Sequence, residues 1–377
     1  MKTYLFPGQG SQHIGMGENL FDVFPDIIQK ADAILGYSIK ELCLQDPKQQ
    51  LGQTQYTQPA LYVVNALAYR KQIKDTGSRP DFVAGHSLGE YNALESAGAI
   101  SFEDGLKLVK KRGELMSTAP KGSMAAVIGL TTDKIDEILV NNKLTSIDIA
   151  NYNAHNQTII SGLETDIQNA QTFFEQAAAM FIPLNVSGAF HSRYMQPIQT
   201  EFNRFLDSFS FSAPEIPVIS NVHALPYQVD NITQNLSEQL THSVRWLESM
   251  HYLLQQGEME FTELGSGDVL NKLIRSIKSQ FKPDDLSQGK QANFETAASN
   301  SQPSGQAETD QSLKTPQQNI DDWNRTHPIG TQVRVKGYDE TLTTKTLAVI
   351  LFGHRAALYM QGYNGYFALD EVKLVKN

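Results

Sequence analysis

The pentapeptide Gly85-His86-Ser87-Leu88-Gly89 has the form G-x-S-x-G, the pattern of a serine displayed on a sharp turn between a strand and a helix. Phe82-Val83-Ala84, in front of it, is a short apolar run that stops at Gly85, and Leu88–Ala97, behind it, reads as a helix. Large side chains at the flanking positions would clash in so tight a turn, which accounts for the glycines. Ser87 is thereby pushed out at a helix N-terminus, where the dipole and free N–H groups favour a developing oxyanion. The chemistry implied is nucleophilic catalysis through a serine ester. Glu90, three residues on, is expected to support the helix start, as acids there commonly do.

A serine hydroxyl needs a base, and the chain offers nine histidines. His191, in Ser187-Gly188-Ala189-Phe190-His191-Ser192, follows an apolar strand. His86 adjoins the serine but points elsewhere on such a turn, and reads as a packed, hydrogen-bonded core histidine. His155, His223, His242 and His251 lie in polar or helical stretches and read as surface groups. Taken alone, the residues leave His191 as one candidate among several.

Arg112 is the third chemical signal. Phe102–Met116 has helical spacing behind a Ser101-x-x-Asp104 cap. At about 100° per residue, Phe102, Gly105, Leu106, Val109, Gly113 and Met116 share one face, and Arg112 falls inside it. Lys107, Lys110, Lys111 and Glu114 lie opposite, as a solvated surface. A guanidinium aimed inward is unfavourable unless it meets an anion, either in a structural ion pair or on a ligand.

The elements that must hold these groups alternate. Thr3–Phe6 is a short β-prone run ending in Pro7-Gly8-Gln9-Gly10, and Gln58–Ile73 has helical spacing. Strand followed by helix, repeated, is the pattern of an α/β fold with a largely parallel sheet. Residues 123–187 read as an inserted unit with the order βαββαβ, a ferredoxin-like arrangement. From 283 to about 320, Gln, Ser, Asn, Thr, Asp and Pro dominate, and such a segment reads as a flexible linker. Beyond it, 321–377 shows short β-prone runs between glycine-containing turns, a small all-β, barrel-like module of unknown role.

The chain has 377 residues, with 40% hydrophobic and 19% charged residues, the balance of a folded globular protein. A net charge of -10 argues against a nucleic-acid partner. Cys43 is the sole cysteine, so no disulfide forms within the chain, no zinc spacing exists, and a reducing, cytoplasmic setting fits. No signal-peptide core and no run of about 18 apolar residues is found, which excludes a membrane span from the expectation.

Several motifs together resemble a known family, the bacterial malonyl-CoA:acyl carrier protein transacylases and the acyltransferases of polyketide synthases. They are Phe6-Pro7-Gly8-Gln9-Gly10-Ser11-Gln12, Thr57-Gln58-Pro59-Ala60-Leu61, Gly85–Glu90, Arg112-Gly113, Asn151-Tyr152-Asn153, Gly188–Ser192, Gln239 before Val244-Arg245-Trp246, and Glu263–Gly267. The match covers roughly 1–280.

The resemblance implies an acyltransferase domain over 1–282. Its α/β-hydrolase-like large subdomain would span 1–122 and 188–282, and its small subdomain 123–187. It implies Ser87 as the acylated nucleophile and His191 as its base, with a backbone carbonyl near Gln239 holding the imidazole. The oxyanion donors would be the N–H groups of Gln9 and Leu88. Arg112 would grip the free carboxylate of malonate from the far wall of the cavity. Gln58, Met116, Asn153 and Phe190 would line the pocket, Phe190 filling the space a branched methyl would need.

The expected reaction is ping-pong malonyl transfer from the coenzyme A thioester to the phosphopantetheine thiol of an acyl carrier protein, with no metal or other cofactor. A specialised, free-standing enzyme of polyketide synthesis fits the added tail, and fatty-acid synthesis is the other pathway. An acyl hydrolase of the same fold, clearing stalled carriers, is the alternative, and a non-catalytic scaffold is a weaker one. Lys272, Arg275 and Lys278, spaced along one helix face, are candidates to meet an acidic carrier.

Overall fold

The computed structural model describes residues 1–281 and, further on, 316–328, 330–335, 341–344, 348–351, 355–360, 366–369 and 372–374. The chain divides into two units, Met1–Pro283 and Asp284–Asn377. The expected linker lies outside the described residues as far as 315.

Eight strands build the first unit. In chain order they are β1 (Lys2–Phe6), β2 (Phe82–Gly85), β3 (Ser123–Ile128), β4 (Asp148–Ala154), β5 (Gln157–Gly162), β6 (Met180–Pro183), β7 (Val218–Ile219) and β8 (Glu260–Glu263). Four of them form a parallel sheet in the order β7-β2-β1-β8. β1 is buried from Thr3 to Phe6, as a parallel strand covered on both faces must be. The other four form an antiparallel sheet in the order β4-β5-β3-β6. With helices Thr132–Asn141 and Glu164–Gln176 this insertion runs strand, helix, strand, strand, helix, strand. It has its own core of Val127, Ile135, Ile160, Ile167 and Phe174. The chain enters and leaves it side by side, through a bridge between Lys121 and Gly188. A second tie runs from Tyr152 N–H to the Val244 carbonyl at 2.9 Å, and from Val244 N–H to Ala150 at 2.8 Å.

Two helices carry the groups of interest. Helix Thr54–Thr76 is buried almost all round through Leu67, and so runs through the core rather than over it. Helix Phe102–Thr118 starts on the Ser101 hydroxyl, which accepts from Asp104 N–H at 3.0 Å. Its glycines let the two helices approach closely: a Cβ on Gly105 would lie 2.0 Å from the Tyr62 hydroxyl, and one on Gly113 3.0 Å from the Thr54 carbonyl. Arg112, between them, is thereby held within the core at 1% exposure.

The second unit corrects the sequence reading. Its described residues include helix Pro316–Thr326, so the unit is not all-β, and the expected boundary at 320/321 falls inside a helix. Ile320 is buried and Trp323 partly so, three residues apart on one face. Two apolar residues in a run of Gln, Asn and Asp suffice to seat a helix and are easily lost in a polar composition. The described strands form two three-stranded antiparallel sheets, linked by a bridge between Thr344 and Met360.

A tight backbone crossing in the first unit lies at the serine turn. A Cβ on Gly89 would sit 2.0 Å from the Phe6 carbonyl, whereas one on Gly52 meets nothing within 4 Å. Gly89→Ala is therefore expected to lose at least about 3 kcal/mol of stability, with Gly52→Ala within about 0.5 kcal/mol of the parent. Denaturant unfolding of the two variants checks this, and equal midpoints would contradict it.

Candidate active site

Ser87 stands at the end of β2, immediately before helix Gly89–Ser96, with a φ of 52°. That left-handed conformation is unfavourable for a residue with a side chain and is held by its neighbours. Asn221 accepts the Ser87 N–H through Oδ1 and donates through Nδ2 to the Gly85 carbonyl, both at 2.7 Å. His191 also has a positive φ, 56°. Both side chains thus sit on strained backbone.

The Ser87 hydroxyl is the meeting point. His191 Nε2 lies 2.7 Å from Oγ. The opposite ring nitrogen, Nδ1, lies 2.8 Å from the main-chain carbonyl of Gln239. A carbonyl only accepts, so Nδ1 carries the proton and Nε2 presents its lone pair to the serine. Burial, with the Arg112 charge beside it, pushes the imidazole down to about 3, which keeps it neutral. His86 is placed otherwise, at hydrogen-bond distance from Asn153 (2.9 Å) and against the Trp246 ring, though it also contributes to the cavity wall.

Arg112 corrects one expectation. Its guanidinium is not at the far wall but against Ser87: Nη2 donates to Ser87 Oγ at 3.1 Å and to Gln239 Oε1 at 2.9 Å, and Nη1 donates to Gln58 Oε1 at 2.9 Å. Gln58 in turn donates to the Met116 sulfur at 3.1 Å. The helix pairing at Gly105 and Gly113 brings Arg112 this deep. Nε has no acceptor among the described residues, so the charge is only partly satisfied by protein groups.

A cavity of about 200 Å³ opens over these atoms. Gln9, Gln58, Ser87, Leu88, Arg112, Met116, Asn153, Phe190 and His191 all line it, and Gln239 lies behind His191. Ile159, Leu184, Val186, Leu270 and Leu273 add an apolar wall that the sequence reading did not single out. A Cβ on Gly8 would lie 2.4 Å from the His86 carbonyl, so only glycine lets the Gln9 loop come this close to the serine turn.

Three contributors were missed or misread. Asn221 has no motif to announce it. The Gln239 side chain does more than its carbonyl: Nε2 donates to the Ser87 carbonyl at 2.9 Å and makes a very short contact with Glu90. Glu90 does stand in the first turn of its helix, but its fully buried carboxylate bonds to groups outside that helix. It accepts from Asn221 N–H at 2.7 Å and Tyr227 O–H at 2.8 Å. Burial pushes its carboxyl up to about 7, against the pull of those donors and of Arg112. Of the three basic residues considered for docking, Arg275 pairs with Asp268 and Lys278 donates to the Met259 carbonyl.

The acyl transferase domain family matches residues 3–272. The polyketide biosynthesis malonyl CoA-acyl carrier protein transacylase BaeC of Bacillus velezensis is 58% identical over 282 residues, 74% of this chain and 98% of the relative. The crystal structure of a malonyl CoA-acyl carrier protein transacylase from Burkholderia pseudomallei superposes with a TM-score of 0.73 at 49% identity, covering 75% of this chain and 99% of that one. A malonyl-transacylase solved in complex with its type II polyketide synthase acyl-carrier protein gives a TM-score of 0.70 at 33% identity, over 74% of this chain and 93% of that one. The chain belongs to the acyl transferase domain family.

Proposed function

We propose that this chain transfers a malonyl group from malonyl-CoA to the phosphopantetheine thiol of an acyl carrier protein, in polyketide biosynthesis, through an ester on Ser87. The observation that carries the reading is the convergence on one hydroxyl of a neutral imidazole at 2.7 Å and a buried guanidinium at 3.1 Å. The names of relatives such as BaeC, and the carrier complex of a related transacylase, support the substrate and the partner. No helix among the described residues is long and apolar enough to cross a membrane. We read the insertion 123–187 as the ferredoxin-like small subdomain of the enzyme, and the rest of 1–282 as its α/β-hydrolase-like large subdomain.

In the first half-reaction His191 Nε2 takes the Ser87 proton as Oγ attacks the thioester carbon. The Gln9 and Leu88 N–H groups receive the oxyanion at the start of helix Gly89–Ser96. The carbon–sulfur bond breaks, and His191 returns the proton to the departing coenzyme A thiolate. In the second, His191 deprotonates the carrier thiol, which attacks the ester, and Ser87 leaves with the proton restored. No other co-reactant is needed, since one thioester replaces another.

Arg112 supplies the choice of acyl group. The malonyl carboxylate meets a guanidinium that already lies in the cavity with an unused donor, in the planar geometry that carboxylates and arginine share. An uncharged acyl group leaves that buried cation without its anion, a penalty of roughly 2–4 kcal/mol. Because Nη2 also touches Oγ, the arginine must let go of the serine as the ester forms. Phe190, buried in the wall, takes the space that a branched methyl would occupy.

Ser87→Ala is expected to abolish carrier loading from malonyl-CoA. Arg112→Ala should lower malonyl transfer at least about thirtyfold more than acetyl transfer. Parallel assays of carrier loading by the two thioesters check both, and an equal fall would remove the carboxylate role. The lowered basicity of His191 keeps the base form present as pH drops below the ordinary imidazole range. Ring-nitrogen NMR should therefore show His191 still neutral at about pH 5. Protonation of His191 near 6.5, the ordinary histidine value, would contradict the burial argument.

A further inference from the structure

The transfer chemistry gives Glu90 no task, yet three donors converge on its carboxylate. Asn221 N–H and Tyr227 O–H reach Oε1 at 2.7 and 2.8 Å, and the Gln239 carboxamide nitrogen reaches Oε2. An ionised carboxylate only accepts. It therefore decides which end of the Gln239 carboxamide faces it: the nitrogen must, and the oxygen must face the other way. On that other side stands Arg112, whose Nη2 donates to Gln239 Oε1 at 2.9 Å. The second Gln239 N–H goes to the Ser87 carbonyl at 2.9 Å.

Resting on the transacylase reading above, we propose that Glu90 is a positioning residue that fixes the polarity of the Gln239 carboxamide, and through it the aim of Arg112 at the malonyl carboxylate. A reversed carboxamide would set N–H against N–H at Arg112 and lose the bond to the Ser87 carbonyl. The same carboxylate seats Asn221, whose side chain grips the Ser87 N–H and the Gly85 carbonyl. Glu90 thus reaches both the nucleophile turn and the selectivity arginine without touching substrate.

Glu90→Gln keeps the volume and removes the acceptor-only character. Its amide can face at most one side with oxygen, so either Gln239 or Asn221 then meets an N–H group. The main-chain carbonyl that holds His191 is unchanged in Gln239→Ala, which removes only the relay. The experiment is single-turnover formation of the Ser87 ester from malonyl-CoA and from acetyl-CoA, at about pH 8, where a group titrating at about 7 is ionised. Parent, Glu90→Gln, Gln239→Ala and the double variant are compared.

Glu90→Gln should slow malonyl ester formation at least about tenfold, and more than it slows acetyl ester formation. Added to Gln239→Ala, it should slow the reaction less than about twofold further, because both act on one relay. Multiplicative effects, or equal losses for the two thioesters, would overturn the proposal. Should Glu90→Gln fail to fold, Gln239→Met tests the relay with Glu90 intact: the malonyl-to-acetyl rate ratio must fall, and an unchanged ratio overturns it. A parent protein that forms no malonyl ester would refute the transacylase reading instead, which keeps the two failures apart.

Discussion

A buried positive charge at the base of the cavity governs the arrangement of this site. The Arg112 guanidinium is 1% exposed, and a buried charge is stable only when fixed dipoles or an anion replace its hydration. Gln58, Gln239 and the Ser87 hydroxyl supply dipoles, and the Tyr91 ring lies 5.7 Å from its central carbon. None of these is an anion. The buried carboxylate of Glu90 is separated from the arginine by the single carboxamide of Gln239. The guanidinium is thus a cation held by neutral groups, with the Glu90 carboxyl one residue away. On the reading proposed above, a substrate bearing its own carboxylate would complete it.

The same charge shapes the base. A cation beside His191, in a place without water, makes a second positive charge unfavourable, so the imidazole stays neutral. The Gln239 carbonyl orients it without adding a formal negative charge, which a buried aspartate would. This Ser–His pair can therefore share a cavity with an arginine. Backbone crowding does the remaining work. The serine turn approaches β1 and the Gln9 loop so closely that Gly8 and Gly89 have no room for a Cβ.

Sequence reasoning reached the parts of this site that depend on local pattern. A strand, a glycine-flanked serine and a helix within a dozen residues are visible in any one sequence, and so is an arginine on an otherwise apolar helix face. The choice of His191 among nine histidines was not local, and rested on the family resemblance. What stayed hidden depends on distant contacts. Asn221 and Tyr227 come from a stretch with no motif, and they act on Ser87 and Glu90 across more than 130 residues of chain. Glu90 was misread because its position three residues after the serine suits a helix start equally well, and burial is not written in spacing. The helix at Pro316–Thr326 was missed for the opposite reason: its polar composition concealed two apolar residues that share a face.

Malonyl transfer through this site requires a covalent bond at one oxygen, Ser87 Oγ. The most direct measurement is peptide mass mapping of the protein after brief exposure to malonyl-CoA, repeated after addition of a phosphopantetheinylated carrier. The account predicts a malonyl group on the peptide containing Ser87, and its passage to the carrier thiol without accumulation of free malonate. A malonyl group on a different peptide, or free malonate in place of loaded carrier, would contradict it.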